Sequence, residues 1–152
     1  MVWDEIDFDS RNWTLPGSRT KNGKPHIVHL SEPCIKLIKR TSRLGSYVFS
    51  NSGVRPFQNF TSAKRVLDEL SGVTDWRLHD LRRTCVSGMA RLGVPPHVAD
   101  KILNHQSGTI SGVAAVYQRH DFLAERKLAL ERWGQYIENP VRERLPNEVA
   151  AA

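Results

Sequence analysis

Cysteine is scarce in this chain: Cys34 and Cys85 are the only two in 152 residues, and neither belongs to a C-x-x-C pair. That argues against a disulfide framework or a thiolate zinc site and fits a reducing cytosol. Long apolar runs are lacking as well, and none approaches the roughly 20 residues of a membrane span. The acidic opening Met1-Val2-Trp3-Asp4-Glu5 carries no signal-peptide pattern. A cytoplasmic location is expected. No repeat or low-complexity segment occurs, apart from a polar tail after Asn139 that ends in Ala150-Ala151-Ala152. Residues 1–139 are expected to form one domain and 140–152 a flexible tail.

What is present is an ordinary globular composition, 39% apolar and 25% charged, at a length that can bury one substantial core. The 22 Lys and Arg outnumber the 16 Asp and Glu, for a net charge of +6. Such a surplus suits a polyanionic partner, because phosphate contacts supply most sequence-independent affinity for nucleic acid. Solubility alone would also account for it.

Local patterns predict a small antiparallel sheet followed by helices. Trp13-Thr14-Leu15 and His26 to Leu30 read as strands, joined through Thr20-Lys21-Asn22-Gly23-Lys24, where Asn-Gly is a strong turn signal. Ser31 is expected to cap a helix with Pro33 in its first turn and Ile35, Leu37 and Ile38 toward the core. Tyr47-Val48-Phe49 reads as a strand before a loop rich in Ser, Asn, Gly and Pro. A short helix over Ser62 to Leu70 ends near Gly72, and a clear one over His79 to Leu92 stops at Gly93, suited to the left-handed C-terminal position. Pro95-Pro96 restarts the chain into a helix through Val98, Ile102 and Leu103, and Gln106 to Gly112 is loop-like. A last helix, roughly Asp121 to Glu138, repeats Leu123, Leu130 and Ile137 every seven residues, with Trp133 widening the stripe.

The polar residues of the second half can support phosphoryl chemistry. A tyrosine hydroxyl ionises near pH 10, so attack by Tyr117 on a phosphodiester needs a neighbour to take its proton and cations to steady the developing charge. Arg82 stays charged and its planar fork can bind two phosphate oxygens. His79, three residues before it, shares its helix face. His105 could donate to a non-bridging oxygen from the end of the next helix. Lys21 at the hairpin tip could reach a leaving oxygen. These groups need no metal and no nucleotide cofactor.

Each has a plainer explanation: a helix-capping His, a solvated Arg, a half-buried Tyr. Tyr47, in a β-prone run, and Tyr136, on the last helix's stripe, read as packing residues; Tyr117 follows a flexible loop instead. Two other readings are weaker. Ala90 to His105 can pass for a helix-turn-helix, but its second helix has no early base-reading Arg, Gln or Asn. His79, Asp80, His105, His120 and Asp121 match no tight metal-ligand motif.

In order and spacing, Leu78-His79-Asp80-Leu81-Arg82-Arg83-Thr84, Leu103-Asn104-His105 and Val116-Tyr117-Gln118-Arg119 resemble the catalytic signature of tyrosine recombinases, the phage-integrase family. The resemblance runs from about Trp3 to Ile137, most of the chain. It implies a mainly helical α+β catalytic domain acting on double-stranded DNA in prophage integration, site-specifically and without cofactors. By the same resemblance Tyr117 is the nucleophile, forming a 3′-phosphotyrosyl link and freeing a 5′-hydroxyl. Arg82 and His105 stabilise the pentacovalent phosphate, His79 assists proton transfer, and Lys21 is the general acid. The segment after the nucleophile often docks on a neighbouring protomer in a DNA-bound tetramer. The final stripe here is suited to the same docking, though its simpler expected role is to cover the chain's own core.

One part of the family pattern is absent. Its first catalytic arginine precedes a Trp-x-Asp-Ile-Asp segment, and here Trp3-Asp4-Glu5-Ile6-Asp7 follows Met1-Val2 directly. Arg11 and Arg19 lie on the wrong side of that segment to replace it. Losing one preorganised donor costs on the order of 3–4 kcal/mol, or 10²–10³ in rate. Two expectations therefore stand side by side: a fragment of a longer integrase that exchanges DNA strands, or a truncated prophage remnant that binds DNA or protein weakly without catalysis.

Overall fold

The computed structural model describes residues 1–104 and 120–139. Three short strands, β1 (Ile6–Asp7), β2 (Asn12–Leu15) and β3 (His26–His29), form an antiparallel sheet in chain order. The helices α1 (Glu32–Arg40), α2 (Phe60–Ser71), α3 (Leu78–Arg91), α4 (Pro96–Ile102) and α5 (Leu123–Glu138) follow. This is the mainly helical α+β arrangement expected. Ile6 pairs with Trp13 and Trp13 with Val28, so one register runs across the sheet. Between β2 and β3 the chain makes a 3-10 turn at Gly17–Arg19 and then a tip at Asn22-Gly23, where Gly23 takes φ 69°. Thr20 closes the tip by donating its hydroxyl to Lys24 O at 2.7 Å.

Two apolar clusters hold the molecule together. Trp3, Leu30, Ile35, Ile38 and Val48 fill the space between sheet and α1. Met89, Val94, Val98, Ala99 and Ala129 join α3, α4 and α5, with Trp133 and Leu130 against them. Among the described residues, Val48, Met89 and Val98 are the largest fully buried side chains, and each such burial contributes about 1.5–3 kcal/mol.

The last helix, α5, packs on the second cluster within its own chain and lies against α4, α1, α3 and β3. It approaches closely because glycines stand at its contacts, Gly88 on α3 and Gly134 on α5 itself: a β-carbon on Gly88 would overlap the Trp133 ring, and one on Gly134 would meet Ser31. Glu131 then locks α5 to the sheet and α1. It accepts hydrogen bonds from His29 Nε2 at 2.8 Å and the Glu32 N–H at 3.2 Å, and pairs with Arg11 at 3.3 Å. Burial alone would raise its carboxyl pKa, but these partners outweigh it and hold the group below the usual carboxylate range. Arg126, also buried, donates to Ile27 O and, at 3.3 Å, to Asp121 O, tying the start of α5 to β3.

Several local expectations shift. Tyr47-Val48-Phe49 is not a strand: Tyr47 makes one isolated bridge with Val2, although Val48 is fully buried. Ser31 stands at the cap of α1, yet its hydroxyl turns to Cys34 Sγ at 3.4 Å and not to a backbone N–H. Leu37 is exposed, and so are Leu123 and Ile137 at the two ends of the expected stripe. The buried residues of α5 are Arg126, Ala129 and Gly134, and Leu130 and Trp133 of the expected stripe pack half-buried against the second cluster. Gly93, at φ 75°, ends the α3 segment in the left-handed conformation expected of it. The Gln106 to Gly112 loop and the tail from residue 140 lie outside the described residues.

Candidate active site

The site is assembled around the end of α4. α3 starts where Asp80 accepts the Arg77 backbone N–H at 2.9 Å, a bond that holds the Asp80 carboxyl below its ordinary range. This cap sets the first turn of α3, on which His79 is exposed and Arg82 half-buried. Arg82 Nη2 donates to Leu103 O at 2.6 Å. That bond occupies one of the five donors of a guanidinium and turns the fork toward the α4 end. Cys85, one turn further along α3, is half-buried, and burial pushes its thiol pKa up, so it is no candidate nucleophile.

The residues after α4 are gripped in succession. His26 Nε2, at the start of β3, donates to Ile102 O at 3.2 Å. Burial, and after it the Arg126 charge, lower the His26 pKa and favour the neutral ring that makes this bond. Arg82 takes Leu103. Asn22 Nδ2, at the hairpin tip, donates to Asn104 Oδ1 at 2.9 Å. Asn104 itself adopts φ 51°, the left-handed conformation that asparagine tolerates better than other side-chain-bearing residues. Lys21 is exposed beside Asn22.

Three of the expected site residues are thus described, and two of them, Arg82 directly and Lys21 through its neighbour Asn22, belong to elements that meet at one turn. His79 shares the α3 segment with Arg82. His105 and Tyr117 lie outside the described residues; in the chain His105 directly follows Asn104, and Tyr117 stands three residues before His120. The other two tyrosines are packing residues as expected: Tyr136 stacks on Trp133 with ring centroids 5.6 Å apart, and Tyr47 is half-buried at its bridge. Among the described residues no three His, Cys, Asp or Glu side chains gather so as to hold a metal ion. No described helix is long and apolar enough to cross a membrane.

Sequence reasoning passed over Asn22, Asn104, His26 and Arg126. For the first three no local signal pointed to the contact made at the site (Asn22 read as a turn residue, and Asn104 only as part of Leu103-Asn104-His105), since their partners are distant in the chain. Arg126 did carry one: it is a charged residue on the helical face between Leu123 and Leu130, where an apolar side chain is the rule.

A small antiparallel sheet feeding a helical body, with a basic hairpin tip and a helix-borne arginine at one turn, defines an α+β domain built like a tyrosine-recombinase catalytic domain. The chain belongs to the phage integrase family, whose sequence profile matches residues 1–123. It is 28% identical over 142 residues to prophage integrase IntA of Escherichia coli (strain K12), a match covering 89% of this chain and 33% of that protein. To the integrase of Shigella phage Sf6 it is 22% identical, over 93% of this chain and 38% of the relative. To prophage integrase IntS of Escherichia coli (strain K12) it is 21% identical, over 93% and 37% respectively. The chain therefore spans about a third of the length of the curated relatives it matches. No solved structure matches it significantly.

Proposed function

We propose that this chain is the strand-exchange part of a prophage integrase, cleaving and rejoining double-stranded DNA at specific sites through Tyr117. The observation that carries the reading is the meeting of Arg82 and the Lys21 hairpin at Leu103-Asn104, the turn that leads into His105. In the reaction the Tyr117 hydroxyl oxygen attacks the scissile phosphorus, with His79 assisting removal of its proton. The bond to the 5′-oxygen breaks as Lys21 supplies that oxygen with a proton. Arg82 and His105 donate to the non-bridging oxygens, whose charge grows in the transition state. The 3′-phosphotyrosyl bond conserves the energy of the broken linkage, so a second 5′-hydroxyl can reverse the step on a new strand. Assembly of four copies on DNA belongs to the same reading, and the exposed Leu123, Leu128 and Ile137 of α5 offer it an apolar contact.

The test is covalent capture. The chain is incubated with a pool of nicked suicide duplexes of randomised sequence, and the protein–DNA adduct is isolated and its DNA sequenced. An adduct that forms on a defined sequence and vanishes in Tyr117→Phe is the expected outcome. A DNA mobility shift without any adduct would overturn catalysis by this chain and leave weak binding as its activity.

A further inference from the structure

We propose that Asn22 and Asn104 form a latch that positions Lys21, by holding the hairpin tip against the turn that leads into His105. The inference rests on the strand-exchange reading above and adds two positioning residues to it. The hydrogen bond between the two side-chain amides, 2.9 Å long, joins residues separated by 82 positions and is half-buried at both ends. Neither amide is merely spare. Asn22 Oδ1 accepts the Lys24 N–H at 3.1 Å, so the same side chain that shapes the tip also ties it to the turn after α4. Asn104 is anchored by its own N–H to Lys101 O at 3.2 Å.

Backbone demands alone do not explain asparagine at position 104. With φ 51° the position favours glycine, which meets no steric penalty there. What asparagine adds is the Oδ1 acceptor that Asn22 uses. The need for such a tether follows from the lysine itself. Lys21 is exposed on a connection of ten residues between β2 and β3, and a lysine side chain carries about 2 kcal/mol of rotamer entropy of its own. A proton donor so mounted works only if its backbone is held near the reacting phosphate, since a misplacement of about 1 Å can cost about 100-fold. The companion bond from His26 to Ile102 O fixes the base of the same connection, leaving the tip to the Asn22–Asn104 pair.

Asn104→Gly isolates the latch, because it removes the amide while suiting the left-handed backbone. Adduct formation is compared on two nicked duplexes of the captured sequence, one with the ordinary 5′-oxygen at the scissile phosphate and one with sulfur in its place. A departing thiolate, whose conjugate acid has a pKa near 8.5, needs no proton donor. Asn104→Gly is expected to unfold no earlier than the parent chain on heating. It should slow capture on the oxygen duplex about 10- to 100-fold and react on the sulfur duplex within about threefold of the parent. Equal loss on both duplexes, or no loss on either, overturns the latch while strand exchange through Tyr117 stands. A parent chain that reacts with the sulfur duplex alone also overturns it, since Lys21 then delivers no proton. No adduct from the parent chain on either duplex sinks the strand-exchange reading and the latch with it.

Discussion

The body of the molecule and its α2 limb are built on opposite terms. In the body, α1, α3, α4 and α5 each bury residues in one of the two clusters or directly against them, and polar locks such as Glu131 and Arg126 join elements far apart in sequence. Helix α2 contains no buried residue at all, and leaves Phe60, Val66, Leu67 and Leu70 exposed. It is held chiefly by local devices. Gly72, at φ 67°, ends it with a backbone bond from its N–H to Asp68 O, and Asp68 accepts both Lys64 Nζ at 2.6 Å and Trp76 Nε1 at 2.8 Å. The Lys64 ammonium also lies 4.9 Å from the centre of the Trp76 ring. A helix can thus be fully formed by capping and short-range pairing while contributing little to the cooperative core, and the site has been placed on the other kind of element.

That contrast can be broken most forcefully at Met89, 1% exposed at the centre of the α3–α4–α5 cluster. Met89→Ala is expected to cost about 2–5 kcal/mol, because the cavity it leaves is walled by three helices and cannot collapse. Urea unfolding reads this as a lower midpoint at unchanged slope. A smaller effect is expected from acid. The folded environment lowers the His26 pKa, so the neutral ring's contribution is complete above about pH 6.5, the ordinary histidine value. It is lost as pH falls from there through the lower folded value. His26→Gln keeps an N–H donor for Ile102 O without titrating, and its stability should fall less than the parent's between pH 7 and 5. A parent and variant with parallel pH profiles would show that His26 is not the group responsible. The smallest effect is expected at Leu70, 80% exposed on α2. Leu70→Ala should change stability by under about 0.5 kcal/mol in the same urea titration. A loss comparable to that at Met89 would mean that α2 shares the core's cooperativity, and the two regions would not differ as described.

Legibility followed the range of the interactions. The Asn22-Gly23 tip, the stop of α3 at Gly93 and the end of α2 at Gly72 were readable because each is a backbone requirement met by the residue in place. The α3 helix was readable to within a residue at either end, expected over His79 to Leu92 and found over Leu78–Arg91. The face of α5 was readable in part: Leu130 and Trp133 of the expected stripe pack against the core, whereas Leu123 and Ile137 at its ends are exposed, and the buried Ala129 and Gly134 are too small to register in an apolar repeat. Tyr47-Val48-Phe49 has strand composition, but a strand needs a partner along its length, and Val2 offered a single bridge.

For the candidate site the division is sharper. The order of chemistry-bearing side chains, His79 and Arg82 on one helix turn with Lys21 at a hairpin tip, was written in the chain, since side-chain spacing on a helix and turn chemistry are local matters. That Ile102, Leu103 and Asn104 are taken in succession by His26, Arg82 and Asn22 was not. These bonds span 76, 21 and 82 positions, and no propensity or periodicity acts over such separations. They exist because burial of apolar surface, which is indifferent to direction, packs β3, α3 and the hairpin around the end of α4, and within that packing the polar partners lie at hydrogen-bonding distance.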